Sequence, residues 1–188
     1  MPHGDSVSPV RPGQGKADNI LVRMALALLL TTALALGGFL WTSIQGFAVA
    51  SGAAKALVTR HVGLAIPTVL LSLFSQSMVI FYFIGTGRLV KDEVAGYPDE
   101  QKNVVLRALS RFKRKTSPPA TFALLSAIGV FVLGGAVHTR ALPPWVHLAS
   151  SVTAVLVHVW ALLAEWRVFG ENTALMNDPA AYARRAAR

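Results

Sequence analysis

Histidine is the residue type in this chain best suited to chemistry. His61, His138 and His147 each stand at the end of a separate apolar run, and His158 follows His147 by eleven residues within the last run. A neutral imidazole ligates metal ions and haem iron. An ionisable group in or beside a membrane is costly enough to read as a functional candidate. Two imidazoles from facing helices suit the axial positions of a b-type haem. Three from three helices suit copper or zinc with one position left open. Cysteine is absent, which removes disulfides, thiolate-ligated zinc, iron–sulfur clusters and covalently attached haem.

Four apolar stretches must position these groups. They cover residues 20–49, 61–84, 120–140 and 145–169, each long enough for a bilayer crossing of about 20 residues. The chain has 188 residues, 53% of them hydrophobic and only 14% charged, with a mean hydropathy of +0.50. That is too apolar for an ordinary soluble domain, where about 25% of residues are charged. The first run is also far longer than the roughly 7–15 apolar residues of a cleavable signal, so it counts as a span. The expected fold is an all-α, multi-pass bundle of four up-down transmembrane helices in the cytoplasmic (inner) membrane.

The net charge of +9 invites a nucleic-acid reading, but the basic residues fall between apolar runs, so no nucleic-acid partner is expected. The segment over residues 86–118 carries Arg88, Lys91, Lys102, Arg107, Arg111, Lys113, Arg114 and Lys115, eight cations against the three (Lys55, Arg60 and Arg140) of the opposite loops. Lys and Arg concentrate in cytoplasmic loops. Both termini and this middle loop are therefore placed in the cytoplasm, and His61, His138 and His147 on the other side. Within the loop, Pro98-Asp99-Glu100 resembles a helix start, and Val105, Leu109 and Phe112 recur at helical spacing. A short basic amphipathic helix on the membrane surface or against a partner subunit is expected there. Residues 1–19 and 171–188 read as cytoplasmic tails, flexible or ordered by a partner. Gly85-Thr86-Gly87 reads as the point where the second helix leaves the membrane. No internal repeat and no soluble-enzyme motif is apparent.

Rise per residue sets the depths. His61, His138 and His147 share the layer opposite the basic loop, with Arg60 and Arg140 at the same rim. His158 lies about 16 Å deeper on the face of the fourth helix that carries His147. Ser72 and Gln76 on the second helix reach a similar depth, which predicts an intramembrane polar layer of His158, Gln76 and Ser72, because lipid satisfies no hydrogen bonds. Ser75, Ser77, Ser126, Thr31 and Thr32 are further candidates for it. Glu165 and Arg167 flank Trp166; an interfacial belt is expected, with a buried Glu165 acting as proton relay or quinone ligand as the alternative. Pro67 is the one strong helix breaker expected inside a span.

In an up-down bundle the second and fourth helices lie on a diagonal, so His61 faces His147, with His138 beside them. Gly63, Gly134 and Gly135 could make room for a flat macrocycle or for close helix packing. In outline, over roughly residues 20–169, the chain resembles the four-helix membrane cytochrome b subunits of quinol-linked oxidoreductases. That resemblance implies a membrane electron-transport subunit of a larger complex, with one haem b held by His61 and either His147 or His138, and with quinone as redox partner. Two-haem members carry two histidines on each of two helices. Here His158 has no histidine opposite, so one haem is the most the chain supports. The residues leave two alternatives open, an accessory subunit without a cofactor and a copper or zinc site on His61, His138 and His147.

Overall fold

The computed structural model describes residues 14–50 and 55–186; of the tail expected over residues 1–19, residues 1–13 fall outside them, as do the last two residues of the chain, while residues 14–19 belong to the first helix. Long helices dominate: α1 (Gln14–Ala50), α2 (Lys55–Glu93), α3 (Asp99–His138) and α4 (Pro144–Asn177), followed by the short α5 (Pro179–Ala186). Four helices are long and apolar enough to cross a membrane. At about 1.5 Å per residue they run about 50–60 Å, against about 30 Å of hydrocarbon. Each therefore continues past what a membrane would cover. Large apolar side chains such as Leu34, Phe74, Leu156 and Trp166 are exposed around the bundle, the surface that lipid suits.

Each long helix packs on its sequence neighbours, and α4 closes the ring against α1. The pairs α1/α3 and α2/α4 are thus diagonals, as expected for an up-down bundle. The buried positions of α4 alternate by three and four, through Ser151, Ala154, His158, Ala161, Glu165, Val168, Asn172 and Leu175. This is the spacing of a coiled-coil seam. Every seventh residue of that seam is polar: Ser, His, Glu, Asn. Fully buried alanines (Ala35, Ala120, Ala123, Ala127, Ala154 and Ala161) let the backbones approach. One contact is tightest: a Cβ on Gly38 of α1 would stand 2.6 Å from Thr68 Oγ1 of α2.

The basic segment departs from its expected form. Residues 86–118 are not a loop bearing a separate surface helix. α2 runs on to Glu93, a 3-10 turn spans Val94–Gly96, and α3 begins at Asp99 and continues without a break to His138. Val105, Leu109 and Phe112 are buried in a cluster with Val90, Val94, Leu175 and Ala183, so neighbouring helices cover their face instead of a membrane surface. α3 passes through Pro118 and Pro119. The residues whose carbonyls lose their helical donors there, Arg114 and Lys115, lie on the exposed basic stretch, where water can replace them. Gly85-Thr86-Gly87 lies inside α2, with Thr86 buried.

The C-terminal segment is also more ordered than a tail. α4 extends to Asn177, Asp178 Oδ1 caps α5 by accepting from the Ala181 N–H at 2.7 Å, and Ala183 is buried. Arg111 of α3 donates to Tyr182 Oη at 2.9 Å and to Glu171 Oε2 at 3.2 Å, tying α5 to the bundle.

A repeat invisible by eye in the sequence emerges from the packing. A half-turn about the bundle axis exchanges α1 with α3 and α2 with α4. Gly46-Phe47-Ala48-Val49 then falls on Gly134-Gly135-Ala136-Val137, and His61 on His147. Contacts across the α2/α4 diagonal keep a constant separation of 86 residues at Ser72–His158 and Thr86–Asn172. The two helical hairpins thus share matching positions at constant offsets, over the part of the bundle that holds the histidines.

Candidate functional site

At the end of the bundle opposite the basic segment, His61 and His147 meet across the diagonal. Their ring centroids are 6.0 Å apart and their planes cross at 80°. His147 stands in the first turn of α4, just after the Pro143-Pro144 entry, and His61 two turns into α2. The helix thus begins six residues before the apolar run expected from residue 61. A metal–imidazole bond is about 2.0–2.1 Å and the ring centre lies about 1.2 Å behind the nitrogen, so two coaxial imidazoles sharing one metal atom have centroids about 6.5 Å apart, about 0.5 Å more than this pair shows. The observed pair stands near that separation.

The two rings sit in matching frames. The Thr42 backbone lies beside His61 and the Val130 backbone beside His147. Gly46 faces the His61 ring and Gly134 the His147 ring, the latter so closely that a Cβ would approach His147 Cε1 to 3.0 Å. Thr42/Val130 and Gly46/Gly134 are equivalent positions of the two hairpins. Nδ1 of each ring is enclosed and makes no hydrogen bond of good geometry. Gly134 thus makes room for an imidazole, whereas Gly63 and Gly135 face open space.

Both rings line a cavity of about 570 Å³ formed by all four long helices. Its floor includes Phe39, Val69, Val130 and Ser151. Val62 and Ile66 of α2 with Phe131 and Val132 of α3 line it while also exposed on the outside of the bundle. The cavity is therefore apolar and reaches a lateral face between α2 and α3. The volume falls within the roughly 300–1,000 Å³ usual for small-molecule sites.

His138 does not join the pair. It ends α3, is exposed, and lines the same cavity, but its equivalent in the first hairpin is Ala50, so it has no symmetric counterpart. Among the described residues no three His, Asp or Glu side chains converge as a metal site requires. Arg60 and Arg140 are exposed at the same rim, and Arg140 takes a left-handed turn with φ of 61°.

The expected polar layer is present in part. His158 is fully buried, its Nδ1 2.7 Å from the Ala154 carbonyl and its Nε2 2.7 Å from Ser72 Oγ. Because a carbonyl only accepts, Nδ1 carries the proton and Nε2 accepts from the serine. Both nitrogens are thereby occupied, and the Phe39 ring packs against the imidazole at a tilt of 45°, centroids 4.4 Å apart. His158 is a structural member of the bundle beneath the cavity floor. Gln76 belongs to a different group: its carboxamide donates to Thr32 Oγ1 at 3.3 Å, and Thr32 in turn pairs with Ser75 at 2.7 Å. Thr31 also donates to Ser75, whereas Ser126 bonds only within its own helix.

Glu165 overturns the interfacial reading. Trp166 and Arg167 are exposed, as a belt requires, but Glu165 is completely buried. Position 165 carries the heptad inward, which single-residue reasoning about Trp and Arg neighbours overlooks. Asn172 was missed altogether; it is fully buried and donates to Tyr82 Oη at 3.3 Å and Thr86 Oγ1 at 3.4 Å. The seven-residue spacing from His158 through Glu165 to Asn172 was the available signal. Comparison with protein-family models, curated proteins and solved structures finds no match to this chain.

Proposed function

We propose that this chain is a membrane electron-transfer protein that holds one b-type haem between His61 and His147. The observation that carries the reading is the imidazole pair, 6.0 Å apart across the α2/α4 diagonal and open to a cavity of about 570 Å³. Haem b, when bound, supplies one-electron exchange. The residues present fit it. Both rings line the cavity from opposite helices, and the Thr42 and Val130 backbones lie beside them, where they could orient the second nitrogen of a ligating imidazole. Apolar walls keep water away, and Arg60 and Arg140 offer positive charge at the rim for acidic substituents. The lateral face of the cavity suits a redox partner dissolved in the bilayer, such as quinol.

The eight-to-three bias of Lys and Arg between the loops supports placing the basic end and both termini in the cytoplasm, with the histidine pair at the opposite side of the inner membrane. Service within a larger complex accords with the small size and the basic, amphipathic extensions.

The test is a visible spectrum of detergent-purified protein, oxidised and then dithionite-reduced. A Soret band with reduced α and β bands is expected. His61→Ala and His147→Ala should abolish it, while His138→Gln should keep it. Absence of haem from gently purified wild type refutes the proposal. Copper or zinc by mass spectrometry would then indicate a three-histidine metal site, and co-purifying large subunits an accessory role.

A further inference from the structure

Glu165 is the only carboxylate fully buried among the described residues, and no Lys or Arg is buried with it. Neither carboxylate oxygen makes a hydrogen bond of good geometry; the Thr32 hydroxyl of α1 and the Gln76 carboxamide of α2 are the neutral donors within reach of it. The buried titratable groups nearest along the seam are His158, seven residues toward the cavity, and Tyr82 of α2; α1 and α3 present none among the described residues. An uncompensated carboxylate in such a place is strongly disfavoured.

The repeat supplies an internal control on whether packing requires this residue. At the separation of 86 residues that relates Ser72 to His158, the equivalent of Glu165 is Val79, also completely buried. One hairpin fills this core position with a hydrocarbon, the other with an acid. One step nearer the basic end, Asn172 links Tyr82 and Thr86 across the diagonal and leaves its own Oδ1 buried and unpartnered. That polar layer lies about 10 Å from Glu165 along the axis, between it and the basic end.

We propose that Glu165 is a reversible proton-binding site inside the bundle, loaded from the basic end by way of the Asn172–Tyr82–Thr86 layer. The step is a proton transfer alone: a hydronium ion gives its proton to the carboxylate, leaving water and a neutral carboxylic acid, and no electron moves. The site is separate from the histidine cavity, so it stands or falls independently of haem binding.

Infrared spectroscopy of the full-length protein in lipid tests it. Wild type should show a carboxylic-acid carbonyl band that Glu165→Gln lacks and that shifts on transfer to D2O. Asn172→Leu should slow that shift at least tenfold. Glu165→Val, which copies the other hairpin, should fold with a helical spectrum and melting temperature no lower than wild type. A band unaffected by Glu165→Gln overturns the proposal, as does one that never exchanges. A band that appears only when sodium is removed assigns the site to a metal cation and also overturns it. Exchange unchanged in Asn172→Leu refutes the route.

Discussion

The two hairpins supply a matched pair of glycines whose substitution should have unequal effects. A methyl group at Gly134 would lie 3.0 Å from His147 Cε1, 3.4 Å from Nδ1 and 3.5 Å from Nε2. Carbon atoms rest at about 3.5–4.0 Å, so the His147 ring must yield by about 0.5 Å. At the equivalent Gly46 the approach to His61 Cε1 is 3.5 Å, an ordinary contact. Overpacking of this kind costs about 1–3 kcal/mol, which is about 5- to 150-fold in affinity if it falls on the ligated state. Gly134→Ala should therefore weaken haem binding by that factor, and Gly46→Ala should leave it within about twofold. Haemin titration of the apoprotein, followed at the Soret band, measures both. Melting of the apo variants shows whether the strain already falls on the empty bundle. Equal affinities for the two variants would refute the placement of the His147 ring against Gly134.

Three further outcomes follow from the packing. Ser72→Ala removes the donor to His158 Nε2 in a fully buried site and should destabilise the bundle by about 1–3 kcal/mol; an unchanged melting temperature would show that His158 finds another partner. Gly38→Ala drives a Cβ to 2.6 Å from Thr68 Oγ1 and 2.8 Å from its Cγ2, for a loss of about 1–3 kcal/mol, and Gly38→Ala with Thr68→Ala should recover most of it. Arg111→Ala breaks a surface ion pair with side chains 52% and 40% exposed, so melting should change by less than about 1 kcal/mol. Protease cleavage near α5 should rise nonetheless, because the hydrogen bond to Tyr182 is lost with it.

Much of the architecture is legible from local rules. Apolar run length sets the number of long helices, and the up-down ring with α2 and α4 on a diagonal follows from short connections such as residues 139–143. Counting 1.5 Å per residue is enough to bring His61 and His147 to one depth. The pairing of Ser72 with His158 is also within reach, since both lie eleven residues beyond that layer.

Periodicity shows which face of a helix is apolar, not what covers it, and there the sequence alone stops. Val105, Leu109 and Phe112 define the same stripe whether a membrane surface, a partner or the chain's own helices lie against it; the extensions of α2 and α4 decide for the last. Pro118 and Pro119 mark a helix boundary by local preference, yet surrounding contacts hold α3 continuous through them. Glu165 reads as interfacial beside Trp166 and Arg167 until the heptad seam turns it into the core. The histidines show the same division. Residue type and depth were enough to nominate His61, His138 and His147 as one layer. The diagonal already set His61 opposite His147; tertiary packing brought their rings to 6.0 Å and left His138 exposed at the rim. A distance between side chains on separate helices depends on helix rotation and spacing, and neither quantity is local.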